Sequence, residues 1–151
     1  MQNTTNIIKP KVYLAGGMTK FGREKYDEGN EWRVRLQEEV EKQTDYFQFI
    51  NPNNHFKFWE AEECEPVEVM RFDLNIVRNS NIIVVNFNDP ASIGTQSELA
   101  IAYEHRKTIL GLNLKSDTNE NLHPWQRAMC DKIFHDIHEL ANYLIFHFSW
   151  L

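Results

Sequence analysis

The run Ile82-Ile83-Val84-Val85 is apolar at every position. A strand of this kind has no face to give to water, so it belongs in the middle of a parallel sheet with helices above and below. The flanking segments supply the other parts. Lys11-Val12-Tyr13-Leu14-Ala15, closed by Gly16-Gly17, reads as a first strand ending in a turn. From about Tyr26 to Glu41 the pattern is helical, with Trp32, Leu36 and Val40 recurring at four-residue spacing among Glu, Arg and Gln. Phe47–Ile50 before Asn51-Pro52 reads as a second strand and its stop, followed by a long loop carrying His55, Phe56, Phe58 and Trp59. Val67–Arg78 has helical spacing through Val69, Phe72, Ile76 and Val77. Beyond the central strand come the turn at Asp89-Pro90, a helix from Thr95 to about His105, and a strand at Thr108–Leu112. From about Pro124 onward the pattern is mainly helical and strongly aromatic.

Strands alternating with helices at this pace predict an α/β protein: one parallel sheet of four to five strands with helices on both faces, Rossmann- or flavodoxin-like. Residues 1–10 form a short polar lead and 11–151 a single domain. Ligands of such sheets bind beyond the carboxyl ends of the strands, which puts residues 16–23 and 89–98 beside the expected site.

Composition narrows the function. Sixteen basic against twenty-two acidic residues give a formal charge of −6, which speaks against a duplex nucleic-acid binder. A small anion is still within reach, because a few backbone N–H groups and one Arg can hold a phosphate. No apolar run approaches the ~20 residues that span a bilayer, and the start of the chain lacks the pattern of a secretion signal. Two cysteines, Cys64 and Cys130, make no disulfide framework, so a reducing cytoplasm is the expected compartment. His135 and His138 are three apart and would share a helical face, but no third ligand stands at a recognisable spacing, so no metal and no cofactor is expected. The dense acidic stretch from Glu60 to Glu68 reads as a solvated loop and helix start.

The chemistry points to Gly94-Thr95-Gln96-Ser97-Glu98. Thr95 and Glu98 have the spacing of a capping box, which is the bland reading. The other reading is a carboxylate at a strand-to-helix junction, kept ionised by the helix N-terminus and therefore nucleophilic. Asp73, between Phe72 and Leu74, is a second acid on the preceding helix. Two carboxyl groups are what glycosyl transfer requires: a nucleophile at the anomeric carbon and a group that handles the leaving-group proton. The turn Gly16-Gly17-Met18-Thr19-Lys20-Phe21-Gly22-Arg23 would let backbone approach a ligand, with Lys20 or Arg23 reaching an anion. It is neither a Walker loop nor a Gly-x-Gly-x-x-Gly fingerprint.

Val12–Gly17, Asp73, Ser80–Val85 and Gly94–Ala102, taken in order, resemble the nucleoside 2-deoxyribosyltransferase family over about Lys11 to Leu112. Asn81 stands where that family usually has Asp. The resemblance implies that Glu98 attacks the anomeric carbon, that Tyr13 orients its carboxylate, and that Asp73 manages the proton on the departing base. It also implies a deoxynucleoside or deoxynucleotide and a free nucleobase as partners. Phe21-Gly22-Arg23-Glu24 and Ser92-Ile93-Gly94 resemble the phosphate-facing pieces of the related 2'-deoxynucleoside 5'-monophosphate N-hydrolases. Gln126–Met129 resembles a segment lent by a neighbouring subunit, so Met129 joins Gly16, Gly17, Met18, Arg23, Asp89, Ser92, Gly94 and Thr95 as a candidate substrate contact. Ser92 is equally a turn residue after Pro90. A non-catalytic nucleotide-sensing or interaction module remains the alternative from another class. Trp59 or Phe58 is expected to stack on the base. The aromatic tail (Phe134, Tyr143, Phe146, Phe148, Trp150) predicts a dimer or higher homo-oligomer.

Overall fold

The computed structural model describes residues 8–18, 21, 24–55 and 66–148. Arg23, Lys20, Phe58, Trp59, Cys64, Trp150 and most of the acidic stretch lie outside the described residues. Five strands, β1 (Lys11–Gly16), β2 (Gln48–Ile50), β3 (Ile82–Asn86), β4 (Thr108–Leu112) and β5 (Lys132–Phe134), pair in parallel in the order β2-β1-β3-β4-β5. Five helices surround them: α1 (Tyr26–Glu41), α2 (Pro66–Arg78), α3 (Ile93–Glu104), α4 (Pro124–Met129) and α5 (Ile137–Phe148).

The reason for the unbroken apolar run is visible in β3, which is buried at all five positions and feeds two cores. On one face Val12, Leu14, Ile82 and Val84 meet Trp32, Leu36 and Val40 of α1 and Leu140 and Leu144 of α5. On the other, Tyr13, Ala15, Ile83 and Val85 meet Val77 of α2 and Leu99 and Ala102 of α3. The strand order reverses between β1 and β3, and the crevice above their carboxyl ends is where this topology places ligands.

The region after Pro124 is not one long helical stretch. His123 caps α4: its Nδ1 accepts from the Trp125 N–H at 3.2 Å, while Gln126 Oε1 accepts from the His123 N–H at 2.8 Å. The chain then extends at Cys130, and Asp131 ties it to β4 by accepting from the Ile109 N–H and donating its own N–H to the Ile109 carbonyl. The apolar periodicity had merged two short helices across the edge strand β5. His135 therefore precedes α5 and shares no helical face with His138. Its Nδ1 lies 2.9 Å from the Asn113 carbonyl, whereas His138 contacts Glu39 on α1 at 3.3 Å. Among the described residues no group of three His, Cys, Asp or Glu side chains is placed to hold a metal ion, and no helix is long and apolar enough to cross a membrane.

The aromatic tail also has a different use from the one expected. Phe134 is buried in the core, and Tyr143 and Phe148 pack against it. Phe146 alone of the described tail aromatics is an exposed large hydrophobe, at 78%. Tyr143 and Phe148 stay half-buried, so part of the tail's apolar surface remains outside the core.

Candidate active site

Glu98 lies on α3 among Thr95, Leu99 and Ala102, the three buried positions of that helix. Positions 95, 98, 99 and 102 form one stripe at helical spacing, so the carboxylate is carried toward the sheet with the apolar side chains. Asp73 occupies the corresponding stripe of α2, in line with Val69, Ile76 and the buried Val77. From β1, Tyr13 points to the same side and is fully buried. The three polar groups thus meet inside the α2–α3 face, near the carboxyl end of the central strands.

No capping box joins Thr95 to Glu98. The helix opens at Ile93, two residues earlier than the pattern suggests, and its N-cap is Ser92, whose Oγ accepts from the Thr95 N–H at 3.4 Å and from the Thr95 hydroxyl at 3.0 Å. Glu98 therefore sits in the second turn, where the helix end no longer holds it ionised. Burial instead raises its pKa to about 7, with the Tyr13 hydroxyl opposing, Asp73 adding to the rise and Arg33 opposing it. Asp73 is raised to about 6 by burial, with His55 opposing. Tyr13 is held well above the usual phenol range by burial first and by the two carboxylates next. Although Tyr13 and Glu98 interact, the contact falls short of regular hydrogen-bond geometry: Tyr13 Oη, Asp73 Oδ1 and Glu98 Oε2 are buried without a hydrogen-bond partner among the described residues. Buried polar atoms are nearly always satisfied, so three of them in one place call for partners that the described residues do not supply.

The loops around this cluster are fastened together. The Gly17 N–H donates to Asn88 Oδ1 at 2.9 Å, and Asn88 Nδ2 donates back to the Gly17 carbonyl at 3.1 Å. Lys115 Nζ donates to the Asn88 carbonyl at 2.7 Å. Asp89 spends its side chain on the Ala91 N–H at 3.2 Å, making a turn. A methyl group on Gly17 would lie 2.8 Å from Asp89 Cβ and 3.5 Å from Ser92 Cβ. Gly17→Ala is therefore expected to push the two loops apart and cost roughly 1–3 kcal/mol, read as a lowered urea midpoint with an unchanged m-value. A stability equal to wild type would show that the contact is loose.

Gly16 is crowded from the other face, where an added methyl group would meet Trp32 Cζ2 at 3.0 Å and Arg33 Nη2 at 3.2 Å. Met18 is buried, and its sulfur accepts from Arg33 Nη1 at 3.2 Å. A methyl group on Gly94 would meet nothing within 4 Å among the described residues. Met129 does not reach the cluster from within its own chain. It lines a cleft with Pro90, Gln96, Ala100 and Trp125, and Gln96 and Ala100 each lie two residues, about 200° of helical turn, from Glu98.

Asn88, His55 and Arg33 were not singled out from sequence. Arg33 carried a signal, since Gly29, Arg33, Leu36 and Val40 lie on one stripe of α1 and all are buried. The other two sit in loops, where no periodicity marks them.

No family model matches the sequence, and a search of curated proteins gives no match. Among solved structures, a 2-deoxyribosyltransferase from the psychrotolerant bacterium Bacillus psychrosaccharolyticus superposes with a TM-score of 0.65 at 17% identity, over 88% of this chain and 91% of that one. A CMP N-glycosidase from Clostridium botulinum gives a TM-score of 0.59 at 16% identity, over 91% and 98%. At such identities the likeness is one of fold: both share the α/β architecture described above.

Proposed function

We propose that this chain is an enzyme that breaks the N-glycosidic bond of a 2'-deoxynucleoside through a deoxyribosyl ester of Glu98 and transfers the sugar to a second nucleobase. One observation carries the reading. The buried, unpartnered oxygens of Tyr13, Asp73 and Glu98 converge on the side of the sheet where this topology binds ligands. Two carboxyl groups raised to about 7 and about 6 hold, between them, a single proton near pH 6.5. The values differ by about one unit, so the form with Glu98 ionised and Asp73 protonated is about a tenth of the one-proton population, and it is the form glycosyl transfer uses. An ionised Glu98 oxygen bonds to C1′ as the C1′–N bond breaks, the base leaves with the electron pair, and the proton on Asp73 neutralises it. A 2-deoxy sugar lacks the electron-withdrawing 2-hydroxyl, so the oxocarbenium-like transition state is less costly. A ring nitrogen of an incoming base then attacks C1′, gives its proton to the Asp73 carboxylate, and returns Glu98 as a carboxylate.

A second reading replaces that base with water and the nucleoside with its 5'-monophosphate. The start of α3 favours it, because the first N–H groups of a helix have no partner within the helix, and among the described residues Ser92 Oγ takes up that of Thr95 but not those of Ile93 and Gly94. The names of the two similar folds, one a transferase and one an N-glycosidase of a nucleotide, are consistent with either acceptor.

Incubation with deoxyinosine plus adenine, and separately with each deoxynucleoside monophosphate, tests both readings. Exchanged deoxyadenosine supports transfer, and free base with deoxyribose 5-phosphate supports hydrolysis. If no common substrate yields either, and the ligand response survives in Glu98→Gln, the protein is a sensor and not an enzyme.

A further inference from the structure

Arg33 is 1% exposed and has no carboxylate in ion-pair contact among the described residues. A guanidinium is costly to bury, by several kcal/mol even after relaxation, so its surroundings have to compensate. They do so with neutral oxygens at the exit of β1. Arg33 Nε donates to the Leu14 carbonyl at 3.1 Å, Nη2 to the Gly16 carbonyl at 2.9 Å and Nη1 to the Gly29 carbonyl at 3.2 Å, besides the Met18 sulfur. The side chain starts on α1, across the sheet from α2 and α3, and wraps the last residues of β1, which lead directly into Gly17 and Met18. Burial lowers its pKa to about 10, which leaves it fully charged at neutral pH, and the groups it couples to are Glu98, Tyr13 and Tyr26. Seen from Glu98, the ionisable groups are Tyr13 from β1, Asp73 from α2 and Arg33 from α1, and Arg33 is the only cation of the three.

We propose that Arg33 is a positioning residue: its guanidinium pins the carboxyl end of β1 beneath the site, and its buried positive charge favours the ionised form of the Glu98 carboxylate. A lysine would keep the charge without the fork that spans several carbonyls. A glutamine would keep a donor without the charge. The inference rests on Glu98 being the nucleophile, and it deepens that reading by naming what holds the nucleophile ready.

The test is a titration of the Glu98 side-chain carboxyl carbon by 13C NMR, assigned by its loss in Glu98→Gln, in wild type, Arg33→Gln and Arg33→Lys, alongside kcat and KM. Arg33→Gln is expected to raise the Glu98 midpoint by about half a pH unit, less than a directly paired charge is worth, because Arg33 is the smallest of the influences on Glu98. With half of Glu98 ionised at pH 7 in the wild type, such a shift lowers kcat roughly two-fold at pH 7 and little at pH 9, with KM less affected. Arg33→Lys is expected to keep the midpoint closer to wild type while kcat falls at every pH, because the exit of β1 is less firmly held. An unmoved midpoint in folded Arg33→Gln overturns the countercharge. If that variant does not fold, wild-type kcat and midpoint in Arg33→Lys overturn the proposal instead. The NMR midpoint needs no turnover, so an enzyme inactive on every substrate defeats the function proposed above without touching this result.

Discussion

Glu98→Gln is expected to abolish turnover and, in the same step, to make the folded protein more stable above neutral pH. Removing the nucleophile of a covalent mechanism should lower kcat by at least about 10^4-fold. The stability effect follows from the sign of the shift. Burial raises the native carboxyl from 4.5 to about 7. The unfolded chain therefore releases this proton at lower pH than the native one does, and ionising Glu98 costs folding free energy across the interval between those values. Below about pH 4.5 both states hold the proton and the cost is absent; above about pH 7 it is complete, at an upper limit of about 3 kcal/mol. Glutamine never ionises, but its amide needs partners in the same buried place, which takes back part of the gain. A net stabilisation of about 1–2 kcal/mol at pH 8, fading to nothing near pH 4, is expected in urea titrations. An equal gain at both pH values would mean that the effect is packing and not charge, and no gain at pH 8 would mean that Glu98 is satisfied in the native state.

The same residue shows how far the sequence could be read and where it stopped. The alternation of apolar runs gave away the sheet, because β3 needs apolar residues on both faces and no other arrangement of Ile82–Val85 avoids wetting them. Four of the five strands were legible for that reason. β5 was not: β2, equally short and also at an edge, is closed by Asn51-Pro52, whereas β5 has no Gly or Pro to part it from the apolar, aromatic stretch that follows, and it is fixed by Asp131 pairing with Ile109. Thr95 and Glu98 fitted a capping box only because the true cap, Ser92, stood three residues further back with the same chemistry. Local spacing could not tell a second-turn glutamate from a third-position one. What would have told them apart is the buried stripe through Thr95, Leu99 and Ala102, on which Glu98 falls. Asn88 and His55 act through tertiary contacts to β1 and α2, for which one strand of sequence holds no signal. Glu98 was named as a candidate nucleophile for its company in the sequence; its environment, and hence its raised proton affinity, came only from the packing.

The Asp73→Asn variant is expected to change the shape of the pH profile as well as its height. In the wild type the reactive form holds one proton on the pair, with Glu98 ionised and Asp73 protonated. The dependence of kcat/KM on pH should therefore be a bell with its summit between about pH 6 and 7, set by two apparent values that belong to the pair and not to either residue. With Asp73 as amide the acid limb reports the ionisation of Glu98 alone, whose pKa of about 7 is eased down by the loss of a like charge. The alkaline limb disappears, because no second carboxyl remains to lose its proton. The height falls by about 10^2–10^4, the usual worth of a positioned proton donor. That loss should depend on the leaving base. A base that departs readily as an anion needs little help and should lose least, while a poor leaving group should lose most. A uniform loss across leaving groups, with the bell intact, would make Asp73 a binding residue and move the proton to another group. His55 is then the next candidate, since its electrostatic influence on Asp73 opposes the effect of burial there.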